Sequence, residues 1–82
     1  MDGQLIGKVT HYYDKIGVAI IELTDTLKVG DKVTFAKGED EKEQSVDSIQ
    51  IEKASVDKAE KGTIVGVKTE EPIKEGSEVY RN

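Results

Sequence analysis

The stretch LKVGDKVTF, residues 27–35, turns the chain and starts a strand whose apolar face is already set. Gly30 can adopt the positive φ that a tight turn often requires, because it has no Cβ. Asp31 can accept hydrogen bonds from the turn amides. Val33 and Phe35 then fall on one face of the strand, with polar residues between them. The stretch therefore predicts a corner of a β-structure.

A related stretch, IKEGSEVYR, occupies residues 73–81 near the C-terminus. The aligned pairs are Leu27 with Ile73, Lys28 with Lys74, Gly30 with Gly76 and Val33 with Val79. The repeat is too short for a solenoid protein. It indicates instead that two corners of one sheet use the same turn-and-strand unit.

Most of the remaining sequence has the pattern of short strands separated by turns. In residues 3–13, strict alternation places Leu5, Val9 and Tyr13 on one face. Residues 52–62 predict an irregular crossing loop. Further strands are predicted at residues 18–23, 45–51 and 63–68, and a polar hairpin loop at residues 36–44. The pattern predicts an all-β fold, a small closed or nearly closed β-barrel of about six to seven strands forming one domain over residues 1–82.

Composition narrows the classes of function. The 82-residue chain has 17 acidic and 12 basic residues, a net charge of −5, and Arg81 is its only arginine. A protein built mainly to bind nucleic acid is normally basic, so stand-alone affinity for nucleic acid is disfavoured. The chain has no cysteine, and it shows no signal peptide or transmembrane pattern. We therefore expect a cytoplasmic location.

The order and spacing of these motifs resemble a known family. The sequence contains the patterns Gly-x-Val, Lys-x-Gly-Asp-x-Val, Ala-x-x-Gly-x-x-Val-Gly-Val and Gly-x-x-Val, beginning at Gly7, Lys28, Ala59 and Gly76. In this it resembles the second domain of the translational GTPases, the β-barrel of elongation factor Tu. It is similar, more closely, to small stand-alone translation elongation factor-like proteins. There is no Gly-x-x-x-x-Gly-Lys-Ser/Thr loop, so GTP binding is not expected.

The resemblance implies a non-enzymatic binding module that acts with the translation machinery or RNA and needs no cofactor. A similar barrel is also appended to some collagenase-like peptidases. The alternative is therefore a protein-binding accessory subunit of a collagenase-like peptidase or RNA-modifying enzyme. A ribosome or transfer RNA fits the first hypothesis and a protein partner the second. Neither a membrane partner nor an oligomeric state is indicated.

No catalytic or metal-binding set emerges from the residue pattern. His11 has no second histidine or cysteine beside it, and it is expected to pack with Tyr13 at the end of the first strand. The acidic group at residues 39–43 lacks the ligand spacing of an EF-hand loop.

Aromatic and basic side chains supply the candidate binding surface. An exposed Tyr12 can stack on a base or a peptide, and Tyr80 beside Arg81 can bind a base or a carboxylate. Lysines form a basic patch if the two corners lie together; the alternative is scattered surface charge. The candidate binding residues are Tyr12, Lys28, Lys32, Tyr80 and Arg81, and the wider basic patch adds Lys8, Lys15 and Lys74.

Overall fold

The computed structural model describes residues 3–82, which form ten β-strands and no helix. The strands are β1 (Gln4–Tyr13), β2 (Val18–Leu23), β3 (Leu27–Lys28), β4 (Lys32–Lys37), β5 (Asp40–Ser45), β6 (Ile49–Ile51), β7 (Ala54–Val56), β8 (Lys58–Ala59), β9 (Ile64–Lys68) and β10 (Glu78–Arg81). Eight of them form one antiparallel sheet in the order β5-β4-β10-β1-β2-β9-β6-β7, and β3 pairs with β8. The predicted domain of residues 1–82 includes two residues that lie outside the described part.

The all-β class is confirmed, but the prediction of a closed barrel of six to seven strands is wrong. The large sheet is open, with β5 and β7 as its two edges. After β5 the chain leaves the ladder. Val46 donates its N–H to the Asp31 carbonyl and accepts from the Gly30 N–H, each at 2.8 Å. The chain thus binds to the first corner instead of continuing along another strand, and β7, the opposite edge, has only three residues.

A side-chain amide links β5 to the end of β9, two strands that are not neighbours in the sheet. The Nε2 of Gln44 donates to the Lys68 carbonyl at 3.0 Å. Its Oε1 accepts from the Glu70 N–H, also at 3.0 Å. One glutamine thereby satisfies a backbone donor and a backbone acceptor that no strand pairs.

Gln44→Ala is expected to lower the free energy of unfolding by about 1–2 kcal/mol, because both backbone groups lose a partner. Gln44→Glu is expected to be no more stable than Gln44→Ala. The glutamate keeps an acceptor for the Glu70 N–H but points an anion at the Lys68 carbonyl. Denaturant titration measures both variants. Gln50→Ala, at an exposed position of β6, serves as the control and should change stability by less than about 0.5 kcal/mol. Equal stability of the Gln44 and Gln50 variants would contradict this role.

The two predicted corners are confirmed as equivalent turns. Gly30 and Gly76 have φ values of 96° and 88°. Just as Gly30 donates to Val46, Gly76 donates its N–H to the carbonyl of a buried valine, Val9, at 2.8 Å. The strands that follow, β4 and β10, are antiparallel neighbours, and Thr34 lies opposite Tyr80. Since these two residues are also equivalent in the repeat, an approximate local twofold axis passes between them.

The core lies against the inward faces of both sheets. Two residues of β1, Ile6 and Val9, are fully buried although strict alternation assigns them to opposite faces. The register shift between Leu5 and Gly7 explains this, because the extra residue that it inserts changes the alternation of β1 before Val9; a second shift follows between Val9 and His11. The predicted crossing loop at residues 52–62 instead contains β7 and β8. The other buried apolar residues are Ala19, Ile21, Leu23, Leu27, Val33, Phe35, Val46, Ile49, Ala59, Val65, Val67, Ile73 and Val79.

Candidate functional site

Strand β2 carries apolar side chains on both of its faces. Ala19 and Ile21 are buried in the core, whereas Val18 and Ile20 point to the opposite face and stay partly exposed. A sheet with one solvated face normally alternates apolar and polar residues, and strands covered on both faces read as continuous apolar runs. The second face of β2 is therefore of the kind that another surface covers.

Neighbouring residues extend this second face. Tyr13, Ile16 and Ile64 are 47%, 62% and 58% exposed, respectively. Gly66 of β9 lies opposite Ile20 of β2, and because it has no side chain it leaves a groove of about 710 Å³. We call Tyr13, Ile16, Val18, Ile20 and Ile64 the outer apolar face. Contiguous exposed apolar surface of this kind marks interaction sites.

Sequence reasoning missed the outer apolar face. Two signals were present: the nearly continuous apolar run VAIIEL at residues 18–23 and the bare glycine at position 66. Their combination becomes visible only when β2 and β9 are placed side by side, since Ile20 and Gly66 are far apart in the sequence.

Glu75 holds together the histidine-containing cluster at the end of β1. The Nδ1 of His11 lies 2.9 Å from Glu75 Oε2. The Tyr12 backbone N–H donates to the same oxygen at 3.0 Å. The rings of His11 and Tyr13 meet edge to face with centroids 4.4 Å apart, as expected for packing at the strand end. These contacts attach the loop before β10 to β1. Within residues 3–82, no group of three or more His, Cys, Asp or Glu side chains is placed to hold a metal ion.

The two candidate tyrosines both have intramolecular contacts. The Tyr12 ring packs against the core, and its hydroxyl accepts a hydrogen bond from Thr69 Oγ1 at 3.3 Å. Tyr80 is half-buried and its hydroxyl donates to Glu78 Oε1 at 3.3 Å. Burial, and then the charge of Glu78, raise the pKa of Tyr80. Stacking on either ring stays a prediction.

The candidate basic residues occupy separate places. Lys28 and Arg81 line one polar recess with Asp25. Arg81 contacts the Thr26 carbonyl and lies 3.5 Å from Asp25 Oδ2, so it anchors the loop between β2 and β3. Lys32 lies 3.9 Å from Glu43 Oε1.

The structure therefore brings Lys28 and Arg81 together in one recess, whose lining does not include Tyr12, Lys32 or Tyr80. Lys74 lines a different cleft from Lys28. The two corners consequently do not merge their lysines into a single basic patch. A ligand for the Lys28–Arg81 recess stays a prediction.

Comparison with known proteins gives a different relationship from the one that the motifs suggested. No family model matches the chain. An uncharacterised protease of Methanocaldococcus jannaschii is 42% identical over 76 residues, which are 92% of this chain and 19% of the protease. The chain thus spans about a fifth of the length of the curated relative that it matches.

Two solved structures share the fold. Both are of the C-terminal domain of a Geobacillus thermoleovorans protein described as a U32 peptidase. The first has a TM-score of 0.89 and 23% identity, covering 96% of this chain and 92% of that domain. The selenomethionine variant of the same domain has a TM-score of 0.88 and 24% identity, covering 94% and 98%.

These findings overturn the resemblance to the elongation factor second domain and to the stand-alone translation elongation factor-like proteins. The relatives are a protease and peptidase C-terminal domains. The physical reason for the error is that the motifs describe a turn followed by a strand. This chain itself uses that unit twice, at Gly30 and at Gly76. Such motifs identify a β-corner, and the fold identified by the comparisons is that of the U32 peptidase C-terminal domains.

Proposed function

We propose that this chain is a non-catalytic accessory domain of a peptidase-like enzyme and that it binds the enzyme's catalytic part through the outer apolar face. The match to the Methanocaldococcus jannaschii protease carries the proposal. Nearly the whole chain, 92%, corresponds to 19% of that protein. In the relative, a domain of this kind accompanies a much larger remainder of the polypeptide.

The outer apolar face supplies the contact surface, and the catalytic part of the enzyme is its proposed occupant. Interface centres are depleted in charge and rich in apolar and aromatic side chains, with polar residues at the rim. Here Ile16, Ile20 and Ile64 surround the groove over Gly66, while Glu52 and Lys53 border it. The remainder of the relative's chain is the polypeptide available to cover such a face.

The side-chain chemistry supports a non-catalytic role. His11 is bound to Glu75 and faces Tyr13, with no serine or cysteine nucleophile among these contacts. The acidity of the chain and the engagement of its only arginine, Arg81, in an intramolecular contact favour a protein partner over RNA. The cysteine-free composition agrees with a cytoplasmic setting.

Affinity purification from native cell extract, with captured proteins identified by mass spectrometry, tests the proposal. The wild-type chain is expected to capture a peptidase-like enzyme, and capture should survive nuclease treatment. The double variant Ile16→Lys/Ile64→Lys is expected to reduce capture about tenfold or more, because two charges enter the interface. Both positions are more than half exposed, so folding should be retained.

The control is Val29→Lys, which places one lysine on an exposed apolar residue outside this face. Capture by the control should equal that of the wild type. Recovery of ribosomal proteins or transfer RNA instead of a peptidase-like enzyme would refute the proposal. Equal capture by the double variant would refute the assigned surface.

A further inference from the structure

A cleft separate from the outer apolar face lies between the β4–β5 hairpin and the loop that leads into β10. Its volume is about 320 Å³, within the range of small-ligand sites. The floor is apolar and formed by Phe35, Pro72 and Ile73. Two of these, Phe35 and Ile73, are only 2% and 5% exposed, so the floor is fixed by core packing. A ligand for this floor needs an apolar part of modest size.

Three lysines surround this floor, and carboxylates neutralise two of them. Lys74 Nζ lies 2.5 Å from Asp40 Oδ2, and Lys42 Nζ lies 3.6 Å from Glu71 Oε1. The hydrogen bond from Lys74 and its positive charge lower the pKa of Asp40. At neutral pH, Asp40 is therefore ionised and forms an ion pair with Lys74.

Lys37 differs from the other two lysines. Its Nζ donates to a backbone carbonyl, that of Glu75, at 2.6 Å. Across residues 3–82, it forms no ion pair with a carboxylate. The ammonium is held at the cleft with its charge uncompensated and with two further N–H donors. The cleft thus combines an apolar floor with one fixed cation, within a chain whose net charge is −5.

We propose that this cleft binds the C-terminus of a peptide, with the terminal carboxylate on Lys37 and an apolar last side chain on Phe35, Pro72 and Ile73. One lysine ammonium suits one carboxylate, whereas phosphate groups are more often bound by the planar fork of arginine. The assignment rests on the proposed function, since cleavage by a peptidase produces chains with new C-terminal carboxylates.

Titration of the 15N-labelled chain with N-acetyl-Ala-Ala-Leu tests the inference. Saturable changes in amide shifts are expected at residues 37, 73 and 74. The C-terminal amide of the same peptide is expected to bind about tenfold more weakly, because it lacks the charge that pairs with Lys37. N-acetyl-Ala-Ala-Ser with a free carboxylate should also bind more weakly, because serine gains little on the apolar floor.

Lys37→Gln is expected to reduce affinity for the acid peptide about tenfold and to abolish the difference between acid and amide. Lys37 is exposed, so the variant should fold. The control Lys53→Gln, in the β6–β7 turn beside the outer apolar face, should bind as the wild type does. Equal affinities for acid and amide, shifts at the outer apolar face, or an unaffected Lys37→Gln would each overturn the inference.

The two proposals fail independently. Absence of peptide binding with normal enzyme capture refutes the peptide site and leaves the accessory role standing. Peptide binding that follows the expected pattern, without enzyme capture, refutes the accessory role. The cleft then remains a site for an apolar C-terminal residue, and its peptide ligand comes from another source.

Discussion

Gly7→Val is expected to lower the free energy of unfolding by about 3 kcal/mol or more, at the upper end of the cost of overpacking. A Cβ at position 7 would lie 2.8 Å from the Glu22 carbonyl oxygen and 2.8 Å from Ile21 Cγ2. The carbonyl belongs to the backbone of β2, which pairs with β1 along its length. A side chain at position 7 therefore has to push the two strands apart.

The control for this variant is Lys8→Val, one residue further along β1 and exposed. It introduces the same β-branched side chain and so accounts for strand propensity, which is worth at most about 1 kcal/mol. Equilibrium unfolding in denaturant should show a large decrease in the free energy of unfolding for Gly7→Val. For Lys8→Val this free energy should change by no more than about 1 kcal/mol. Similar stabilities for the two variants would show that β1 and β2 can separate without loss.

Leu27→Ala is expected to destabilise the domain by about 2–5 kcal/mol, as for other large-to-small changes in a core. Leu27 is completely buried, although it belongs to a strand of only two residues, β3. It fixes the small sheet to the core just before the first corner. Removing the side chain leaves a cavity beneath that corner.

Val29→Ala is the matched control, because Val29 is two residues away and 41% exposed. Its effect should stay within about 0.5 kcal/mol. Ile73→Ala tests the equivalent anchor of the second corner, since Ile73 is 5% exposed, and should also cost about 2–5 kcal/mol. A small effect at Leu27 together with a large one at Ile73 would show that the two corners are energetically unlike.

Local features of the fold could be predicted from the sequence because they depend on neighbouring residues. The turns at Gly30 and Gly76 follow from the need for positive φ, and both occur. Most strands follow from short apolar runs between turns. Closure of the sheet could not be predicted, because it depends on whether the distant edges β5 and β7 meet. The side chain of Gln44 in β5 instead reaches the backbone at the end of β9.

Strict alternation gave the wrong faces in β1. Leu5 and Tyr13 were expected beside Val9, yet they are 45% and 47% exposed while Val9 is fully buried. Each register shift moves the following residues to the opposite face of the strand. The shifts are set by the neighbouring strands β10 and β2. The order of apolar and polar residues within β1 therefore does not show where the register shifts lie.

Binding residues were harder to predict than strands, because their availability depends on tertiary contacts. Tyr12 and Arg81 have suitable chemistry, but the fold already engages them with Thr69 and Asp25. Lys37 has no distinguishing feature in the sequence. It becomes a candidate only because the fold holds its ammonium on the backbone carbonyl of Glu75, and no carboxylate among residues 3–82 forms an ion pair with it. The resemblance to a translation domain was wrong for a related reason. The motifs at the corners reflect the local geometry of a turn and a strand, and they do not specify the whole fold.

The position of β10 determines when the large sheet can become complete. This strand comes last of the ten along the chain, yet it lies between β4 and β1, pairing with both. Until it is in place, the β4–β5 hairpin pairs with no other strand of that sheet. Pairing of Gln4 with Arg81 also closes a loop of almost the whole chain. Such long-range pairing slows folding. Because β10 is synthesised last of the ten strands, the domain should remain unfolded until this strand has left the ribosome.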